Sequence, residues 1–239
     1  MATATFKIHG ELSVFIERGR RGRSFEYACA RAATLKHAIE ALGVPHTEAG
    51  RLTVNGRPAT LSRIVREGDR IEVFPADAGE GPGGMPRFIA DAHLGGLARL
   101  LRMLGFDTLY ENTIHDEEIV ALAGAESRIV LTRDRELLKR RDVLRGCFVH
   151  AVKPETQLRE VARRYALERH QRPFTLCLHC NLRLEAVDKV RVATLVPERI
   201  LAGYPEFMRC RSCARVYWQG SHWSRMREML DTTLAADHA

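Results

Sequence analysis

Two groups of residues have the types and spacing to do chemistry. The first is acidic. Asp91 ends the run Arg87-Phe88-Ile89-Ala90, Asp134 ends the run Arg128-Ile129-Val130-Leu131-Thr132-Arg133, and Asp116, Glu117 and Glu118 stand side by side. Clustered carboxylates repel one another, so they imply a bound divalent cation or a raised pKa. Three or four carboxylates around one or two Mg²⁺ or Mn²⁺ ions is also what metal-dependent phosphodiester cleavage needs. Asp91 and Asp134 fit that role, and Asp116 is the best third ligand. The competing reading is local: aspartates cap the helices that follow them, and acids favour a helix N-terminus. The second group is Cys177-x-x-Cys180 and Cys210-x-x-Cys213, with 29 residues between the pairs. Four thiolates close a tetrahedral zinc site with no open position, a folding site and not a catalytic one. Cys29 and Cys147 are isolated in apolar or small-residue runs and read as buried thiols.

The acids need elements to position them. Both acid-ended runs are short and apolar, which reads as buried strands. If they are parallel neighbours, Asp91 and Asp134 share the carboxyl edge of a sheet, where open α/β sheets bind ligands. A helix-period stretch, His93 to Leu104, follows Asp91. Leu94, Leu97, Ala98, Leu101 and Leu104 form its apolar face, and Arg99 and Arg102 lie beside it. A strand is expected at 106–110, then an acid-opened helix from His115, the strand at 128–132, a short helix at 135–140, and a strand at 147–152. Pro154 then opens another helix. This alternation implies a parallel sheet. Thr132 is placed to hydrogen-bond a carboxylate or phosphate. Arg133 and Arg135, with Arg99 and Arg102, are placed to hold a nucleic-acid backbone. Gly95-Gly96 sits inside a helical pattern, so it predicts close helix packing and not a phosphate loop. A final helix is expected over 221–234.

The charge distribution suits this picture. The formal net charge is +7. It divides as +2 for residues 1–84 (12 basic, 10 acidic), 0 for 85–150 (10 and 10) and +5 for 151–239 (15 and 10). A neutral acidic centre followed by basic surface fits a polyanionic substrate. No apolar run reaches the ~18 residues of a membrane span, and Lys7, His9 and Glu11 interrupt any signal-peptide core. A cytoplasmic protein with no membrane partner is expected.

Residues 1–76 read as a separate α+β unit. Phe6 and Ile8 alternate, Leu12, Val14 and Ile16 continue, and Phe25 and Tyr27 follow. Thr34 caps a helix whose face is Leu35, Ala38, Ile39 and Leu42. Asn55-Gly56 is a tight turn between short strands. Hairpin, helix, then strands is a β-grasp order. Through "ALGVPHTE", "VNG" and "EGDRIEVFP" this unit resembles the ubiquitin-like sulfur carriers of thiamine and molybdopterin biosynthesis. Such carriers end in a free Gly-Gly carboxylate, whereas here Met85-Pro86 and the rest of the chain follow Gly83-Gly84. The resemblance therefore implies a fused ubiquitin-like module through which a protein partner could bind. Residues 77–86 form a Gly/Pro-rich linker.

The later residues "FIADAHLGGLARLLRMLGFDTLY", "HDEEIVALA", "RIVLTRDRELL", "PETQLREV", "CLHCN" and "CRSCARVYWQGSHW" resemble the Mut-seven C-terminal RNase family, a PIN-like domain followed by a zinc ribbon. The resemblance covers about residues 87–230. It implies an α/β chain of three parts: a β-grasp domain at 1–76, a PIN-like parallel-sheet nuclease domain at 87–172, and a zinc ribbon with a C-terminal helix at 173–239. It places the family's acids on Asp91, Asp116 and Asp134, with Glu117 as the candidate for a fourth acid common in PIN domains. It implies a hydrolase, a ribonuclease that cuts RNA internally with Mg²⁺ or Mn²⁺. The alternatives are a non-catalytic RNA- or ribosome-binding adaptor whose acids only cap helices, and a sulfur-carrier-related protein. Trp218 and Trp223 are expected to pack against the ribbon, with stacking on RNA bases as the alternative.

Overall fold

The computed structural model describes residues 1–76 and 84–235. The expected linker falls largely on residues 77–83, outside the described residues. The first domain is a five-stranded sheet in the order β2-β1-β5-β3-β4. Its strands are β1 (Ala2–Ile8), β2 (Phe25–Cys29), β3 (Ala49–Val54), β4 (Arg57–Ala59) and β5 (Arg70–Pro75), and the helix α1 (Leu35–Ala41) lies between β2 and β3 in sequence. β1 runs antiparallel to β2 and parallel to β5, the pairing of a β-grasp fold. Alternation along β1 sends Ala4, Phe6 and Ile8 into a core shared with Leu35, Ile39, Leu52, Ile71 and Val73. Thr34 caps α1 by accepting the His37 N–H at 3.3 Å. Asn55 (φ 52°) and Gly56 (φ 76°) supply the two left-handed residues of the β3–β4 turn. One expectation changes. The alternating apolar residues Leu12, Val14 and Ile16 do not extend a strand. Gly10, at φ 56°, leads into a 3₁₀ turn over Gly10–Phe15, and the buried residues become Leu12, Phe15 and Ile16 while Val14 is exposed.

The second stretch alternates strand and helix as expected: β6 (Phe88–Ala90), α2 (Gly95–Met103), β7 (Thr108–Leu109), α3 (Asp116–Glu126), β8 (Ile129–Thr132), α4 (Arg135–Lys139), β9 (Gly146–Phe148) and α5 (Pro154–Tyr165). β6 pairs with β7, and β8 with β9, both in parallel. The helix after Asp91 begins as a 3₁₀ turn, Ala92–Leu94, and strand β7 is shorter than the expected 106–110. The glycine pair packs closely: a Cβ at Gly95 would come within 2.6 Å of the Tyr110 ring, and one at Gly96 within 2.6 Å of Pro154.

The third stretch is a three-stranded antiparallel sheet, β10 (Glu185–Val187), β11 (Phe207–Arg209) and β12 (Val216–Tyr217), in the order β10-β11-β12. The loop between β10 and β11 carries more helix than its Pro and Gly residues suggest, with α6 at Glu198–Gly203. Val192, Val196 and Phe207 form a small core there. Helix α7 (Ser221–Ala235) follows. No helix among the described residues is long and apolar enough to cross a membrane.

By contacts the chain forms two compact units, Met1–Glu80 with His115–Phe148, and Gly81–Ile114 with Val149–Ala239. In the first unit, residues 115–148 of the α/β stretch cluster with the β-grasp. In the second, the ribbon clusters with β6, α2 and β7.

Candidate functional site

In the first unit, α3 and α4 place most of the expected acids. Asp116 is the first residue of α3, and Glu118 caps the same helix: its carboxylate accepts the His115 N–H at 3.1 Å. Glu118 is thus occupied by helix formation, as the macrodipole reading expects. Asp134 lies two residues beyond β8 and caps α4, its Oδ1 accepting the Glu136 N–H at 2.7 Å. Thr132 is buried, and its hydroxyl oxygen accepts the Asp134 N–H at 2.9 Å, which fixes the backbone that carries the acid. Arg133 and Arg135 flank Asp134 and are exposed.

One residue escaped the sequence reading. Arg140, at the far end of α4, donates to the Asp116 carboxylate at 3.2 Å and to Glu117 at 3.1 Å through both terminal nitrogens. The structure thereby joins Asp116 and Glu117 on one cation. Glu117 meets its own backbone N–H first and Arg140 second, and both hold its carboxyl below the usual range. No spacing rule marks Arg140, because its partners lie 23 and 24 residues away.

In the second unit, Asp91 directly follows β6, and its Oδ1 accepts the Ala92 N–H at 2.6 Å. Arg99 is exposed. Arg102 corrects the expectation of a backbone contact. It is only 5% exposed, and its guanidinium donates to the carbonyls of Thr108 (2.9 Å), Leu178 (3.2 Å) and His179 (2.9 Å). Burial lowers its pKa, while the neighbouring Cys177 and Asp107 favour the charge. A buried guanidinium spent on three carbonyls ties α2 to the first cysteine turn and is not offered to a phosphate. Asn181 makes a second tie: its amide donates to Asp107 at 2.6 Å and accepts the Thr108 N–H at 3.0 Å.

The four cysteines converge. Their sulfurs all lie within 4.8 Å of one another, and Cys177 and Cys213 are 3.6 Å apart. Zn–S bonds of ~2.3 Å in a tetrahedron put sulfurs ~3.8 Å apart, so the set fits a four-thiolate metal. Burial pushes the Cys180 thiol up to about 11. At Cys213 burial acts the same way, but the Arg215 amide and the other three sulfurs outweigh it and draw the thiol to about 6. The Tyr217 hydroxyl sits 3.2 Å from Cys177 Sγ, and burial raises its pKa. His222 is exposed and outside the set. Trp218 packs against Phe207, and Trp223 against Phe174 with ring centroids 4.9 Å apart, so both tryptophans serve packing.

A family model for the Mut7-C RNAse domain matches residues 86–230, and one for the Mut7-C ubiquitin matches residues 1–79. No curated protein matches the chain. Two crystal structures of small archaeal modifier protein 1 from Haloferax volcanii are similar to part of it. One has 21% identity and covers 32% of this chain; the other has 20% identity and covers 34%. Each is covered over 100% of its own length, with a TM-score of 0.26.

Proposed function

The chain belongs to the Mut7-C RNAse domain family, and on that premise we propose that it cuts RNA internally in a divalent-metal-dependent reaction carried by Asp91, Asp116 and Asp134. The supporting observation is where these acids stand. All three lie inside the matched stretch, Asp91 and Asp134 just beyond the ends of parallel strands and Asp116 at the opening of a helix. Carboxylate oxygens are the donors that Mg²⁺ and Mn²⁺ prefer. Asp116 and Glu117 already share a cation in Arg140, which fits a demand for positive charge at that helix end. Asp91, Asp116 and Asp134 would hold the ion, with Glu117 as the fourth candidate. When bound, the ion would activate water and stabilise charge on the scissile phosphate. The chain's own residues do the rest. Thr132 fixes the Asp134 backbone. Arg133, Arg135 and Arg99 are exposed cations for the phosphates that flank the cut. The four cysteines would hold zinc, whose role is to fold the ribbon.

The helix caps at Asp91 and Asp134 favour a second reading, a non-catalytic RNA-binding adaptor. Asparagine separates the two, because it keeps the cap and removes the charge. If the acids hold a catalytic ion, Asp91→Asn and Asp134→Asn lose nearly all cleavage of a labelled RNA pool in Mg²⁺ or Mn²⁺, keep RNA binding and lose little stability. No cleavage by the wild-type chain with either ion leaves the adaptor as the function, and cleavage at the wild-type rate by Asp91→Asn removes Asp91 from the catalytic set.

A further inference from the structure

The ubiquitin-like module has a role that its resemblance to carriers does not suggest. Its segment Pro45–Glu48 lies against residues 143–148, which lead into and form the edge strand β9. Glu48 is only 3% exposed, and its carboxylate accepts the Phe148 N–H at 2.8 Å. His46, also buried, places Nε2 3.0 Å from the Val143 carbonyl and Nδ1 2.7 Å from the Glu40 carboxylate. The Phe148 ring meets Phe15 edge-on at 5.2 Å and packs against the β-grasp core. At Gly146 a Cβ would come within 2.4 Å of Leu138 and 3.5 Å of Thr47, so β9 is closely packed where it starts. An open strand edge carries unpaired amides that invite other chains. A buried carboxylate is costly unless it is hydrogen-bonded. Each group here answers the other's need.

We infer that the β-grasp module is a permanent brace for edge strand β9, with the surface around His46 and Glu48 committed to its own chain and not to transfer or to an outside partner. A carrier must leave and return, and a surface whose buried acid holds a strand amide of its own chain opposes release. Two experiments on the full-length protein test this. In the first, a protease site is placed between Ala76 and Gly84 and cut. The brace predicts that the two fragments co-elute in stoichiometric amounts on size exclusion. In the second, hydrogen exchange is followed in Glu48→Leu and Glu48→Gln. Leucine removes the acceptor, so the Phe148 amide should exchange at least about tenfold faster. Glutamine keeps an acceptor oxygen and should restore most of the protection, and amides of β1 and β5 should keep their wild-type rates in both variants. Fragments that elute apart overturn the brace, as does unchanged exchange at Phe148 in Glu48→Leu. If Glu48→Leu unfolds the whole module, co-elution of the cut wild-type chain decides.

Discussion

The β-grasp and the ribbon each pack on part of the α/β stretch, yet they are held in different ways. The β-grasp buries a continuous set of eighteen apolar side chains around one sheet. At roughly 1.5–3 kcal/mol for a fully buried aliphatic or Phe side chain, burial around that sheet is the main term that stabilises it. The ribbon's two clusters bury only Leu184, Val192, Val196 and Phe207 besides the sulfurs of Cys177 and Cys210. Their junctions also differ in which side carries the charge. The β-grasp offers a carboxylate, Glu48, to a strand amide, whereas the ribbon offers carbonyls, at Leu178 and His179, to the guanidinium of Arg102. The carbonyls that dock the ribbon belong to the turn that carries Cys177 and Cys180. In the ribbon, therefore, fold and junction rest on the same few residues, while in the β-grasp the junction touches only a small part of a large core.

The largest expected effect breaks the ribbon alone. Cys210→Ser, or removal of metal by a chelator, should unfold the region around 176–217, because structural zinc contributes roughly 10–16 kcal/mol of apparent binding energy in small domains. Trp218 and Trp223 are the chain's two tryptophans and both pack in or beside the ribbon, so their fluorescence reports this loss directly. Amide signals of Phe6 and Val73 should stay in place. Unchanged tryptophan fluorescence after chelation, with no zinc found by elemental analysis, would refute the metal-held ribbon.

A smaller effect tests the junction. Arg102→Met keeps most of the side-chain volume but strands the buried Thr108 carbonyl and frees the part-buried ones of Leu178 and His179, which should cost about 1–3 kcal/mol. The ribbon should become easier to melt while its metal content stays at one per chain. If Arg102 were instead a backbone contact, the variant would melt normally and the salt dependence of RNA binding would become shallower by about one ion.

Much of this architecture was legible in residue patterns, and the failures have two causes, one local and one distant. Periodicity located the β-grasp, the acid-ended strands and the glycine pair in α2, because each depends on local spacing. The double Cys-x-x-Cys was legible for the same reason. Leu12, Val14 and Ile16 misled because a period of two matches a strand, yet Gly10 turns the chain and a three-residue period then buries Leu12 and Phe15. Arg102 misled because a cation beside an apolar helix face looks like surface until the carbonyls that bury it come from residues 76 and 77 positions later. Arg140 and Glu48 were silent for the same reason: their partners are distant in sequence and carry no motif.

The smallest expected effect sharpens the contrast, since it acts on the β-grasp core and spares the ribbon. Asp69 is buried beneath the turn before β5. Burial pushes its carboxyl up, but Arg63 at 2.7 Å, the Arg66 N–H at 2.8 Å and Asn55 at 3.0 Å outweigh this and leave its pKa below the ordinary value. A carboxyl with a lowered folded-state pKa contributes stability that is complete above its unfolded value of ~3.9 and is lost as pH falls through the folded value. Asp69→Asn should therefore destabilise the β-grasp by about 1–3 kcal/mol at neutral pH, as expected for hydrogen bonds to a charged group. The penalty should shrink on acidification, until variant and wild type converge where Asp69 itself is protonated. Glu117 is also lowered, but it is fully exposed and should add no comparable slope. Denaturant midpoints read from the Phe6 and Val73 amide signals at neutral and acid pH check this. A difference between Asp69→Asn and wild type that stays constant across that range would mean that the Arg63 pair contributes shape to the turn and no charge-dependent stability.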